Sequence, residues 1–270
     1  GHAAFFGVGA YVAGLLAKHG LAEPVTGLLI SGLAAGLTGF LASFMILRGT
    51  DRTRLMVTLG VALVLYELAN QLDWITGGAD GLLGVSVGPI LGRFAFDFAG
   101  TTAFVYSLSV TFLLFLLARR VVQSPFGLSV RALKENRLRA ATIGIAPNRR
   151  IIAIYTMAAV YAGMAGALLT QTTQFVSLEV LDFARSADAL LVLVIGGSGY
   201  LFGGLIGAIA FKLMKDTLSA MTPAYWTFWM GASLVTLVMI GRDRLMAQVA
   251  RPFTALLRRV RARRSRGGEP

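Results

Sequence analysis

The chain of 270 residues is 56% hydrophobic and only 14% charged, with a mean hydropathy of +0.72, which excludes an ordinary soluble domain and points to several membrane crossings. A net charge of +12 would suit nucleic acid, but the basic residues lie between apolar runs and at the end, where membrane topology asks for them, so nucleic-acid binding is set aside. With no cysteine and only two histidines, His2 and His19, disulfides and thiolate metal sites are excluded and imidazole clusters nearly so.

In chain order, the opening GHAAFFGVGAY carries neither an initiator methionine nor a charged leader region, so no signal peptide is read and an amino-terminal part is expected to be missing. Apolar runs predict helices at about 3–17, 25–47, 55–69, 99–117, 151–170, 187–214 and 226–240. The second run repeats small residues every four positions, at Gly27, Ser31, Ala35, Gly39 and Ser43, the spacing of close helix packing. No internal repeat of fixed period stands out.

Seven single crossings would put the loop of Arg48, Arg52 and Arg54 on the same side as the 118–150 loop with its eight Lys/Arg. The nine arginines from Arg242 to Arg266 would then fall on the other side, against the positive-inside rule. The stretch LLVLVIGGSGYLFGGLIGAIAF offers a repair. The 187–214 run is too long for one ordinary helix and too short for two crossings, and Gly196, Gly197, Gly199, Gly203 and Gly204 lie inside it. A turn there makes a short descending segment and a returning helix, and all three basic segments become cytoplasmic. Two readings of the glycines stay open. A break in hydrocarbon is tolerated where it lines a water-filled path or is covered by protein, and the spacing of Gly199, Gly203 and Gly207 is equally that of a packing surface.

Several chemistries find no residues. None of Lys18, Lys134, Lys212 and Lys215 follows a glycine, so no nucleotide-binding Walker A loop is present. The serine of GASL, Gly231 to Leu234, has no histidine near it in sequence to serve as base. Glu67, Asp73, Asp97, Glu179, Asp182 and Asp188 fall mostly at the ends of apolar runs, whereas Glu67, inside VLYELANQLDW, is either functional or a polar contact between helices. Few ionisable groups lie deep in the runs, which counts against a proton-coupled carrier.

The connection ARRVVQSPFGLSVRALKENRLRAATIGIAPNRR reads as a helix between stops: Ser124 and Pro125 begin it, Val130 to Ile143 is helix-compatible, Gly144 is a C-cap and Pro147 bars continuation. A helical wheel gathers Val130, Leu133, Leu138, Ala140, Ala141 and Ile145 on one side, interrupted by Lys134 and Arg137. That mixed face suits a protein partner better than lipid, with a basic helix at anionic headgroups as the alternative.

RALKENRLRAATIGI resembles the cytoplasmic coupling loop of ABC importer permeases. GHAAFFGVGAYVAGLL, TGGADGLLGV at Thr76 to Val85 and LLVLVIGGSGYLFGGLIGA resemble, in this order, three segments of the LivM-type permease subunit of branched-chain amino acid ABC transporters. The likeness covers residues 1 to about 245, with two departures. Family members carry further helices before the first motif, and Gly204 stands where they often have proline. The resemblance implies an all-α, polytopic transmembrane bundle with a glycine-rich broken or re-entrant helix. Residues 1–248 would form the permease domain, the 118–150 coupling loop within it, and residues 249–270 a basic cytoplasmic tail.

The implied function is a permease subunit in the bacterial inner membrane, multi-pass with a cytoplasmic C-terminus, without cofactor, metal or catalytic residue. It would import branched-chain or other hydrophobic amino acids together with ABC ATP-binding subunits, a second related permease and a periplasmic substrate-binding protein. Urea or short amides as substrates, and a self-sufficient secondary transporter, are the alternatives. Coupling to the ATPase would fall to Arg131, Leu133, Lys134, Glu135, Asn136, Arg137, Ala140, Ala141 and Gly144. The path or gate would fall to Phe5, Phe6, Gly7, Gly9, Glu67, Gly78, Asp80, Gly196, Gly197, Gly199 and Gly203.

Overall fold

Every predicted apolar run that the structure covers is a helix, and the helices nearest the core are those richest in small residues. The computed structural model describes residues 1–47, 51–90, 92–94, 96–97, 100–197, 199, 201–223, 225, 228–232 and 235. Arg48, most of the 226–240 run and the whole 249–270 tail lie outside them. The order is α1 (His2–Lys18), α2 (Pro24–Leu47), α3 (Asp51–Gln71), α4 (Asp73–Thr76), a short 3-10 turn (Gly78–Asp80), α5 (Thr101–Gln123), α6 (Pro125–Glu135), α7 (Arg137–Thr142), α8 (Pro147–Thr173), a second 3-10 turn (Leu178–Leu181), α9 (Phe183–Gly196) and α10 (Leu201–Met221). Among the described residues there is no strand, and pairing is limited to the isolated bridges Leu82 to Val176 and Ile90 to Phe94.

The chain divides into two units, Gly1–Ser186 and Ala187–Pro270. In the first, α1, α2 and α8 pack against one another as a central trio. Two glycine approaches set how close they come: a methyl group at Gly9 would overlap the Gly163 backbone, and one at Gly166 would overlap the Phe6 carbonyl. Lipid offers no hydrophobic drive for helices to associate, so close backbone approach and polar contacts hold such a trio together. The polar contacts are present. Thr170 Oγ1 donates to the Ala10 carbonyl at 3.0 Å, and the Pro24 carbonyl accepts from Gln171 Nε2 at 2.7 Å and from the Tyr106 hydroxyl at 3.3 Å.

α2, α5 and α8 are each long and apolar enough to cross a membrane, and α9 with α10 forms a fourth candidate bent by 113°. The runs at 3–17 and 55–69 are helical but short: at about 1.5 Å per residue, the 17 residues of α1 reach less than the roughly 30 Å of a hydrocarbon core. α1 is instead mostly enclosed by protein, with Ala4 and Ala10 fully buried.

In the second unit the glycine-rich run is a break and a packing surface at once. α9 ends at Gly196, Gly197 takes φ +85°, and α10 starts at Leu201. The two helices touch through their backbones: a methyl at Gly196 would overlap the Gly203 carbonyl, and one at Gly207 the Val192 carbonyl. The expected trio of Gly199, Gly203 and Gly207 is corrected here. A methyl at Gly199 would meet nothing, because Gly199 belongs to the turn, and Gly196 takes its place in the contact. Lys215 Nζ lies 3.7 Å from Asp188 Oδ2 and ties α10 to α9 below the turn.

Candidate functional site

The segment between α5 and α8 is shaped by its caps. Ser124 Oγ accepts from the Gly127 amide at 3.3 Å and Pro125 takes the first helical position of α6, where its missing N–H costs nothing. α6 stops at Asn136, which has extended backbone angles and whose Oδ1 accepts from the Arg139 amide at 3.0 Å. Asn136 is therefore the end of α6 and the N-cap of α7. Gly144, at φ +87°, takes the left-handed conformation that a side chain disfavours, and Pro147 opens α8.

This corrects the single helix expected over Val130 to Ile143. Asparagine competes for backbone hydrogen bonds inside a helix and is strongly favoured at its start, so the helix begins five residues earlier, at Pro125, and is interrupted at Asn136. The apolar face drawn on one wheel does not form either. Ala140 is buried, whereas Leu138 is 82% exposed and Ile143 72% exposed. Two bulky apolar side chains project from the six-residue α7, which carries Arg137 and Arg139, and from its C-cap Ile143.

Of the residues expected in coupling, Leu133, Lys134 and Arg137 line one groove of about 450 Å³ together with Val130, Arg150, Ile151 and Ile154. Arg131, Glu135, Asn136, Ala141 and Gly144 are exposed. Arg137 Nη2 donates to Asn148 Oδ1 at 2.9 Å, and the Arg150 guanidinium lies 5.2 Å from the centre of the Phe126 ring, a cation–π distance. Arg150, Ile151, Ile154 and Phe126 were not singled out as site residues from sequence. The double arginine at 149–150 next to an apolar run was the available signal, but it reads equally as the flank of a span.

The residues expected along a path occupy four surroundings. Phe5 is 1% exposed, packed with Ala35, Ala42 and Ala159 and edge-on to Tyr155 with ring centres 5.6 Å apart; Phe6 is half-buried. A methyl at Gly7 would overlap Leu181, as one at Gly9 would overlap Gly163, so both glycines serve helix packing. Glu67 is exposed and accepts from Gln71 Nε2 at 2.8 Å within its own helix. Gly196, Gly197, Gly199 and Gly203 belong to the α9–α10 turn already described. Between α3 and the start of α9 there is also a groove of about 300 Å³ lined by Leu59, Ala62, Leu63, Tyr66, Leu181, Asp182 and Phe183, of which only Asp182 was named from sequence, as an acid at the end of an apolar run.

Gly78 and Asp80 stand in the loop TGGADGLLGV, the first buried and the second exposed. Thr76 Oγ1 donates to the carbonyls of Ala69 at 2.6 Å and Leu72 at 2.9 Å, satisfying α3 where its own ladder runs out. The Leu82 amide donates to the Val176 carbonyl at 2.7 Å, and Leu82, Val85 and Val176 are buried together. The loop is thus fastened to the end of α3 and to the segment after α8. Thr76→Val keeps the shape and removes the hydroxyl, so it is expected to destabilise the first unit by about 1–3 kcal/mol, the cost of an unsatisfied buried acceptor, measured as a lowered midpoint in thermal unfolding of the detergent-solubilised chain.

A family model described as "Branched-chain amino acid transport system / permease component" matches residues 1–241. The high-affinity branched-chain amino acid transport system permease proteins LivM of Escherichia coli K12 and Salmonella typhimurium LT2 are 28% and 27% identical over 273 residues, covering 93% of this chain and 64% of each relative. The autoinducer 2 import system permease protein LsrC of Enterobacter sp. strain 638 is 26% identical over 264 residues, covering 93% of this chain and 72% of the relative. The chain therefore spans a little under two thirds of the length of both LivM proteins. No solved structure matches it.

Proposed function

We propose, since the chain belongs to the branched-chain amino acid transport system permease family, that it is one membrane-embedded subunit of an ABC importer for branched-chain or other hydrophobic amino acids. ATP is hydrolysed on separate subunits, a second related permease completes the pore, and a periplasmic binding protein delivers the solute. The α5–α8 connection and the basic C-terminal tail lie on the cytoplasmic side. The likeness to an autoinducer 2 permease keeps the substrate a separate question from the fold.

The observation that carries this reading is the pair Leu138 and Ile143, 82% and 72% exposed on a connection outside the apolar runs. Bulky apolar side chains left in water at a rigid, capped turn fit the pocket of a partner protein. α6 follows α5 with only Ser124 between, and four residues, 143–146, separate α7 from α8. A displacement of α7 by an ATP-binding partner is then handed to α5 and to α8, and α8 packs on α1 and α2. Alternating access follows if those helices rearrange around a path shared with the second permease.

The absence of cysteine makes the test direct. Ala141→Cys, at an exposed position outside the cap, is expected to react with a maleimide from the cytoplasmic face alone and to be shielded when the ATP-binding subunits are co-expressed. Labelling indifferent to those subunits favours a self-sufficient carrier, and labelling from outside overturns the topology.

A further inference from the structure

We propose that the groove between α6–α7 and the first turns of α8 is a site for an anionic phospholipid, its phosphate held by Lys134, Arg137 and Arg150 and one acyl chain laid along Val130, Leu133, Ile151 and Ile154. The proposal rests on the chain being a multi-pass membrane protein; it assigns Leu133, Lys134 and Arg137 to lipid and leaves Leu138 and Ile143 as the contact for an ATP-binding partner.

Three cations and four aliphatic side chains line the groove, and no acid does. Among the described residues none of the three cations has a carboxylate partner: Arg137 donates to the neutral Asn148 amide and Arg150 lies against the Phe126 ring. Three uncompensated charges around one concavity repel one another, and an anion placed there relieves that repulsion. Basic pockets beside the cytoplasmic ends of membrane helices hold acidic headgroups by this means.

The order of residues along α8 selects a lipid over other anions. α8 is apolar enough to cross the membrane from Pro147 to Thr173, so Arg150, in its first turn, stands at headgroup level. Ile154 follows it about one turn deeper on the same helix face, and Ile151, the next residue along the helix, lies between them in depth. Phosphate first and hydrocarbon below is the order of a phospholipid. An acidic peptide could meet the cations but would leave the isoleucines unused. The apolar side chains suited to a protein partner, Leu138 and Ile143, do not line this groove.

The test reconstitutes the full chain in phosphatidylcholine vesicles with a trace of phosphatidylglycerol bearing a photoreactive acyl chain, and maps labelled peptides. Labelling is expected on the peptide carrying Ile151 and Ile154, to be competed by unlabelled phosphatidylglycerol, and to survive Arg150→Lys. At about 1 kcal/mol per basic residue near the surface, and 1.4 kcal/mol per tenfold, Arg150→Ala should lower it about fivefold and Lys134→Ala with Arg150→Ala about 25-fold. Equal labelling by a photoreactive phosphatidylcholine overturns the proposal with no variant needed. Competition by inorganic phosphate assigns the groove to a free anion instead, and displacement of the lipid by added ATP-binding subunits assigns it to a protein interface; either result also overturns the lipid site.

Discussion

Gly166→Val is expected to separate α1 from α8 and to be among the costliest single changes in the first unit. A Cβ at this position would overlap the Phe6 carbonyl and come within 3.0 Å of the Ala10 amide nitrogen. Both obstacles are backbone, so no rotamer change makes room. Overpacking costs typically 1–3 kcal/mol where side chains can yield; here the helices themselves must part, taking the Thr170 to Ala10 hydrogen bond with them. The loss should reach the top of that range, a fall in the unfolding midpoint of roughly 10 °C for a domain of this size. Gly60→Ala supplies the control. A methyl there meets nothing in the middle of α3, and replacing a helix-interior glycine is expected to stabilise by roughly 0.5–1 kcal/mol. Both midpoints are read from thermal unfolding in detergent, and a Gly166→Val midpoint within a degree of the parent would disprove the α1–α8 contact.

These two glycines show where sequence reasoning reaches its limit. Spacing announces that a helix such as α2 has a small-residue face, and α1, α2, α5 and α8 were legible as apolar runs by length and composition. Spacing does not announce the partner: Gly9 meets Gly163, far along the chain, and only the folded trio brings them together. The connection before α8 fails differently. Ser124, Pro125, Gly144 and Pro147 were readable because each has a strong positional preference. Asn136, set between strong helix formers, could be interior or cap, and the hydrogen bond from the Arg139 amide decides it. Once the helix breaks there, a single wheel across α6 and α7 misplaces Leu138, which is 82% exposed, although Ala140 is buried. The α9–α10 turn was legible from its glycines, while the identity of the contact pair, Gly196 with Gly203, needed the backbone path. Arg150 was counted among the basic residues of the 118–150 loop, and only the folded chain sets it in a groove with Lys134 and Arg137.

Leu138→Asp should separate folding from coupling. Leu138 is 82% exposed, so in the chain alone the substitution is expected to shift stability by no more than about 0.5 kcal/mol, and the aspartate would stand among Arg137 and Arg139 without burial. In a complex where Leu138 fills an apolar pocket of an ATP-binding subunit, the same change removes about 1.5–3 kcal/mol of burial and forces a carboxylate out of water as well. At 1.4 kcal/mol per tenfold, association should weaken at least about a hundredfold. Two readouts check this: co-purification of the ATP-binding subunits with the tagged chain, and ATP-dependent accumulation, by the reconstituted complex, of whichever solute the parent complex takes up. Both are expected to be lost together while the unfolding midpoint stays put. Leu138→Met, which keeps the volume and apolarity, is expected to retain both. Full accumulation by Leu138→Asp would remove α7 as the coupling contact, because a charged side chain cannot occupy an apolar pocket at no cost.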